Sequence, residues 1–146
     1  MAQMQFPFEI DREATRTAVE ERLESARIYK QVGFIRREIQ TTTSWTPRFH
    51  GNTNAISKAT EDTAVHNVDM EESEHQRYEQ VIRAVSRLGR IEREIIERRY
   101  LEDEVFDYQV MMDMDIREGR YYKIKSSAVY KLAFALRLEV YAPGQE

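Results

Sequence analysis

Apolar residues recur at intervals of three or four positions through most of this chain, the spacing that places side chains on one face of an α-helix. Between Asp11 and about Gln40 they include Val19, Leu23 and Ala26, with Asp11 as a candidate N-cap. Only five glycines and three prolines occur in 146 residues, and no segment of useful length alternates polar and apolar residues as a strand does. The sequence therefore predicts an all-α fold.

Further helical segments follow a polar, turn-forming stretch that has no apolar period. A long second helix is predicted to end at Gly89, with an inner stripe formed by Val65, Val68, His75, Tyr78, Ile82, Val85 and Leu88. A helix marked by Ile91 and Tyr100 and a short helix from about Phe106 to Met114 come next. The last helix is expected from about Glu118 to Leu138, with an inner stripe formed by Tyr121, Ile124, Ala128, Leu132 and Ala135.

The length of the chain fits one compact unit with a single modest core. We expect an N-terminal helix or arm over residues 1–40, a connecting loop over 41–62 and a helical domain over 63–146. No segment approaches the roughly 20 apolar residues of a membrane span, and no signal peptide is recognisable, which predicts a cytoplasmic protein.

The sequence lacks residues and motifs that several classes of enzyme and cofactor site require. The chain has no cysteine, and we find no glycine-rich phosphate loop and no nucleophile motif, so we expect neither an enzyme nor a cofactor. His66, Asp69, Glu72 and His75 fit no zinc-protease spacing, and we expect no metal site there.

Charge is unevenly distributed along the chain. The net charge is −4, yet residues 116–137 contain six basic residues and one acidic residue. Because phosphate neutralisation is the main sequence-independent source of DNA affinity, a basic segment on an acidic body is typical of a protein that meets nucleic acid with one face.

Two helices joined by a short turn are predicted over about 106–138, the arrangement that places a second helix in the major groove. With Ile124 facing inward, Gly119, Tyr122, Lys123 and Ser126 face outward in the first two turns. Arg120, Lys125 and Lys131 flank this strip and suit phosphate contacts. The residues expected to contact double-stranded DNA are Arg117, Glu118, Gly119, Arg120, Tyr122, Lys123, Lys125 and Ser126.

The segment 91–100, IEREIIERRY, together with Asp107, Val110, Met114, Ile116 and the segment 121–125, YYKIK, resembles the ArpU-like family of phage transcriptional regulators. The resemblance implies a regulator of late packaging and lysis genes whose helix-turn-helix is similar to the fourth region of sigma factors. It also places Glu118, Gly119, Tyr122 and Lys123 at base-facing positions. Arg117 and Asp115 depart from the family pattern, which has a serine or threonine and a glycine there.

Tyr130 and Phe134 lie on the outer side of the last predicted helix, past the strip expected in the groove. Either the N-terminal helix folds back over them or they form a two-fold dimer contact, and we expect a homo-oligomer. Two alternative functions share the same helices: a small DNA-packaging subunit, and a sigma-like module that docks on host RNA polymerase without recognising sequence itself.

Overall fold

The computed structural model describes residues 9–35, 53–103 and 105–143, with the side chains of the second segment described from residue 60 onward. Helices account for most of these residues, and the prediction of an all-α fold is confirmed. The helices are α1 (Arg12–Val32), α2 (Thr53–Ser86), α3 (Arg90–Ile96), α4 (Asp107–Met114) and α5 (Glu118–Leu136), and a π-helical segment (Glu97–Glu102) continues α3.

The ends of α1 follow from local chemistry. The carboxylate of Asp11 accepts a hydrogen bond from the backbone N–H of Ala14 at 3.1 Å, which satisfies one of the free amides of the first turn. Gly33 ends the helix in a left-handed conformation with φ of 74°, which glycine adopts at little cost. The sequence predicts that this helix continues to about Gln40, and that prediction did not take into account that Gly33 ends the helix.

Most of the helices share one core. Val19 and Leu23 of α1, Val81 and Val85 of α2, and Leu132 of α5 are buried together. Instead of projecting as an arm, α1 therefore packs against α2, the π-helical segment and α5. The N-terminal segment expected over residues 1–40 as a helix or arm is therefore a helix of the core from Arg12 to Val32, and residues 1–8 and 36–40 lie outside the described residues.

The start of α2 and its buried stripe also differ from the sequence interpretation. The helix begins at Thr53, so the predicted loop over 41–62 is wrong for residues 53–62, and the remainder of that loop lies outside the described residues. Val65, Val68 and Ile82, expected on the inner side, are exposed. Val81 is buried in place of Ile82, because α1 packs on the side of α2 to which Val81 points.

The two ends of the described chain are joined beside α1. The backbone N–H of Asp11 donates to the carbonyl of Val140 at 2.8 Å, and the N–H of Ala142 donates to the carbonyl of Glu9 at 2.8 Å. The buried Thr15 hydroxyl accepts a hydrogen bond from the N–H of Val140 at 2.9 Å. These contacts fasten the segment after α5 onto the start of α1.

Candidate nucleic-acid interface

Helices α4 and α5 are joined by a tight three-residue turn close to where the sequence predicts one. Asp115 adopts the left-handed conformation, with φ of 51° and ψ of 51°, and its N–H donates to carbonyl groups at the end of α4. Aspartate is among the few residues other than glycine that tolerate this conformation. Arg117 is the N-cap of α5 and makes no side-chain capping bond, as expected from its departure from serine or threonine.

A second, smaller core fixes α4 against its neighbours. Ile95 of α3, Val110 of α4 and Tyr121 of α5 are buried together, and five partly buried residues surround them: Val105, Met111, Met114, Ile116 and Ile124. One face of α5 is therefore occupied by the protein interior. The opposite face of its first turns is left for solvent.

The strip predicted on that outer face is exposed. Gly119, Tyr122, Lys123 and Ser126 are all solvent-accessible, as are Glu118 and the flanking Arg117 and Arg120. A Cβ atom added at Gly119 would have no neighbour within 4 Å in the part of the chain that the structure describes. Seven of the eight predicted DNA-contacting residues are thus exposed at the start of α5.

Lys125 is the exception. Its side chain is only 12% exposed, and its Nζ donates to Oδ1 of Asp107 at 3.0 Å. This placement corrects the expectation that Lys125 flanks the strip with a free charge. Lys131 is also paired, through an Nζ to Oε1 distance of 2.8 Å to Glu92. Arg117, Arg120 and Lys123, by contrast, have no ion-pair partner among the described residues.

Asp107, at the start of α4, is the centre of a partly buried polar network. Its Oδ1 accepts hydrogen bonds from the Tyr121 hydroxyl at 2.7 Å, from Lys125 Nζ and from Arg99 Nε at 3.1 Å. The three donors come from the π-helical segment and from two positions in α5. A single carboxylate therefore joins α4 to both of its neighbours, close to the turn that presents the strip.

The network changes the acidity of its members. Burial alone raises the pKa of Asp107, but the hydrogen bonds from Tyr121 and Lys125 and the positive charges of Lys125 and Arg99 outweigh it, so the pKa lies below its ordinary value. Burial, followed by the hydrogen bond to Asp107, raises the pKa of Tyr121. Asp107 is therefore charged and Tyr121 neutral near pH 7.

A neighbouring tyrosine extends the buried polar contacts to α1. The Tyr100 hydroxyl donates to Oε1 of Glu20 at 3.1 Å, and burial and the charge of Glu20 raise the Tyr100 pKa. Asp107 and Tyr100 are among the residues that carry the family resemblance, which predicts no structural role for either. For Asp107, the sequence feature that points to a structural role is its place in the first turn of a predicted helix, where the helix dipole favours negative charge.

The residues predicted as a possible oligomer contact, Tyr130 and Phe134, lie farther along α5. Tyr130 is 48% exposed, and its ring contacts that of the half-buried Phe134 edge to face at a centroid distance of 4.8 Å. Tyr130 thus lies on the outer side of α5, as expected.

His75, considered as a metal ligand, is bonded instead to Glu79 and Tyr29. Within the described ranges, no three histidine or acidic side chains converge as a metal site would require. In the same ranges, no helix combines the length and apolar character needed to cross a membrane.

Comparisons with protein-family models, with curated proteins and with solved structures find no match for this chain.

Proposed function

We propose that this chain is a sequence-specific DNA-binding regulator of transcription whose α5 enters the major groove. The resemblance of its C-terminal third to the ArpU-like family supports a role at late phage or prophage genes for packaging and lysis. On this proposal, Gly119, Tyr122, Lys123 and Ser126 face base edges, and Arg117 and Arg120 contact phosphates.

The observation that carries the proposal is the exposed strip on the first two turns of α5. Its opposite face is buried, so the helix presents one fixed surface outward. With its side chains, an α-helix is about 10–12 Å in diameter. The major groove, about 12 Å wide, accommodates an α-helix presented in this way.

The distribution of charge also supports DNA binding by the start of α5. Arg117, Arg120 and Lys123 have no ion-pair partner among the described residues and lie within seven positions of one another. The chain as a whole has a net charge of −4 and therefore repels DNA elsewhere. A local cationic strip on an acidic protein favours one orientation of docking.

The decisive experiment selects bound duplexes from a phage genome and measures affinity for the selected site and for random DNA at several salt concentrations. We expect clear preference for the selected site. Each neutralised phosphate contributes about 0.9 to the slope of log affinity against log salt, so the two phosphate-contacting arginines give a slope near −1.8 per protomer. Equal affinity for all duplexes, or no salt dependence, would refute the proposal.

A second candidate function is docking on host RNA polymerase. It is favoured by an exposed apolar cluster on the outer side of α4, where Phe106, Tyr108 and Met112 are 66%, 59% and 77% exposed. Contiguous exposed apolar side chains of this size are typical of protein-binding surfaces. Promoter footprints with and without polymerase separate the candidates, because a docking module without sequence recognition protects DNA only when polymerase is present.

A further inference from the structure

The Lys125 side chain is held between two aromatic rings. Its Nζ lies 5.4 Å from the ring centroid of Tyr100 and 5.8 Å from that of Tyr122, and it donates to Asp107. Three groups thus contact the ammonium of a side chain that is only 12% exposed. A lysine in this environment cannot reach a phosphate without breaking a partly buried ion pair.

The Tyr122 ring is contacted by two residues that both donate to Asp107. It meets the Tyr121 ring edge to face, at a centroid distance of 5.3 Å and an interplanar angle of 80°. Its other contact is the Lys125 ammonium. Tyr121 and Lys125 both donate to the same oxygen of Asp107. Tyr122 itself remains 42% exposed on the strip that faces outward.

We propose that Lys125 and Asp107 are positioning residues for DNA recognition, which hold the Tyr122 ring in the orientation that meets a base edge. This inference depends on the proposed function. A ring that is already ordered loses less conformational freedom on binding, so more of its contact energy contributes to affinity. The partner that suits an exposed ring face in the major groove is the 5-methyl group of thymine.

The test compares three variants of α5, each of which replaces a cationic side chain with methionine. Lys125→Met keeps the side-chain length between the rings but loses the charge. We expect its salt slope to equal that of the wild type, while discrimination between the selected site and random DNA falls about tenfold. Arg120→Met removes a cation without a partner, so its slope should fall by about 0.9. Lys131→Met removes a lysine that flanks the strip but is paired with Glu92, so it is the matched control and should change neither quantity.

A double-mutant cycle shows whether Lys125 acts through Tyr122. In a Tyr122→Ala background, the effect of Lys125→Met on discrimination should disappear, since the residue being positioned is gone. Persistence of the effect in that background would overturn the inference. So would a slope reduced by about 0.9 in Lys125→Met, because Lys125 would then be a phosphate contact.

Measurements on the wild-type chain apply even if the Lys125 variant does not fold. The NMR signal of the Lys125 ammonium should stay in place when the selected duplex is added, whereas that of Lys123 should move. A shift of Lys125 as large as that of Lys123 would overturn the inference. Failure of the wild type to prefer any duplex would instead refute the proposed function.

Discussion

Gly119 is the second residue of α5, and an added Cβ there would meet no described residue within 4 Å. Glycine weakens a helix by roughly 0.5–1 kcal/mol relative to alanine. We therefore expect Gly119→Ala to raise the free energy of unfolding by up to about that amount. If the backbone approaches a duplex closely at this position, the same variant should bind DNA more weakly.

Urea denaturation and gel shifts of Gly119→Ala measure these opposite effects. Gly89→Ala is a matched control, since Gly89 caps α3, and an added Cβ there would meet only Glu92, at an ordinary 4.0 Å. Its DNA affinity should be unchanged. Wild-type affinity in Gly119→Ala would contradict a close approach of the backbone to DNA.

Lys123 is the cation at the centre of the exposed strip, without an ion-pair partner among the described residues. Lys123→Ala should reduce discrimination between the selected site and random DNA by about 1–3 kcal/mol if the lysine contacts a base. Competition binding measures this ratio, and Lys131→Ala, outside the strip, should leave it unchanged. Unaltered discrimination in Lys123→Ala would remove Lys123 from the base-contacting set.

At the scale of elements, Asp107 determines how α4 lies against α5. Its folded pKa lies below the ordinary value of 3.8, so its contribution to stability is present above that pH and is lost as the pH falls through the lowered pKa. We expect Asp107→Asn to cost about 2 kcal/mol at pH 7, since three donors lose a charged acceptor. The difference from the wild type should shrink below about pH 3.8.

Urea denaturation from pH 7 down to pH 3 tests this dependence. Asp113→Asn changes an exposed carboxylate of the same helix and should have little effect on unfolding at any pH. A cost of Asp107→Asn that stays constant down to pH 3 would show that the charge of Asp107 does not stabilise the fold.

At the scale of the whole molecule, α1 belongs to the core that supports α5. Leu23 is fully buried among residues of several helices, so Leu23→Ala should destabilise the entire fold by about 2–5 kcal/mol. Ile28→Ala, at a 48% exposed position of the same helix, should cost less than about 1 kcal/mol. Denaturation followed by circular dichroism should give one transition for each variant. Separate melting of α1 in Leu23→Ala would restore the interpretation of α1 as an arm.

Self-association is the second prediction at this scale. The exposed Tyr130 and its neighbour Phe134 form an aromatic pair on α5, outside the strip. We expect the mass measured by light scattering to rise with protein concentration, and Tyr130→Ser to shift this rise to at least about tenfold higher concentration. Ile28→Ser, at an exposed apolar position on α1, should leave it unchanged. A monomer mass at every concentration would refute self-association.

The sequence by itself determined the helical class and most of the helix positions. Apolar spacing and turn residues act locally, which is why α4, the Asp115 turn and α5 lie within a few residues of their predicted bounds. The outward direction of Gly119, Tyr122 and Lys123 also followed from helical periodicity, once Ile124 was set to face inward.

Only the tertiary structure decided which of several apolar stripes is buried and which charges remain free. Val81 and Ile82 are equally apolar, and the packing of α1 selected Val81. Lys125 and Lys123 look alike in the sequence, but Asp107, 18 positions before Lys125, forms an ion pair with Lys125 and not with Lys123. Burial and ion pairing depend on residues brought together from separate elements, and a local pattern contains no information about those partners.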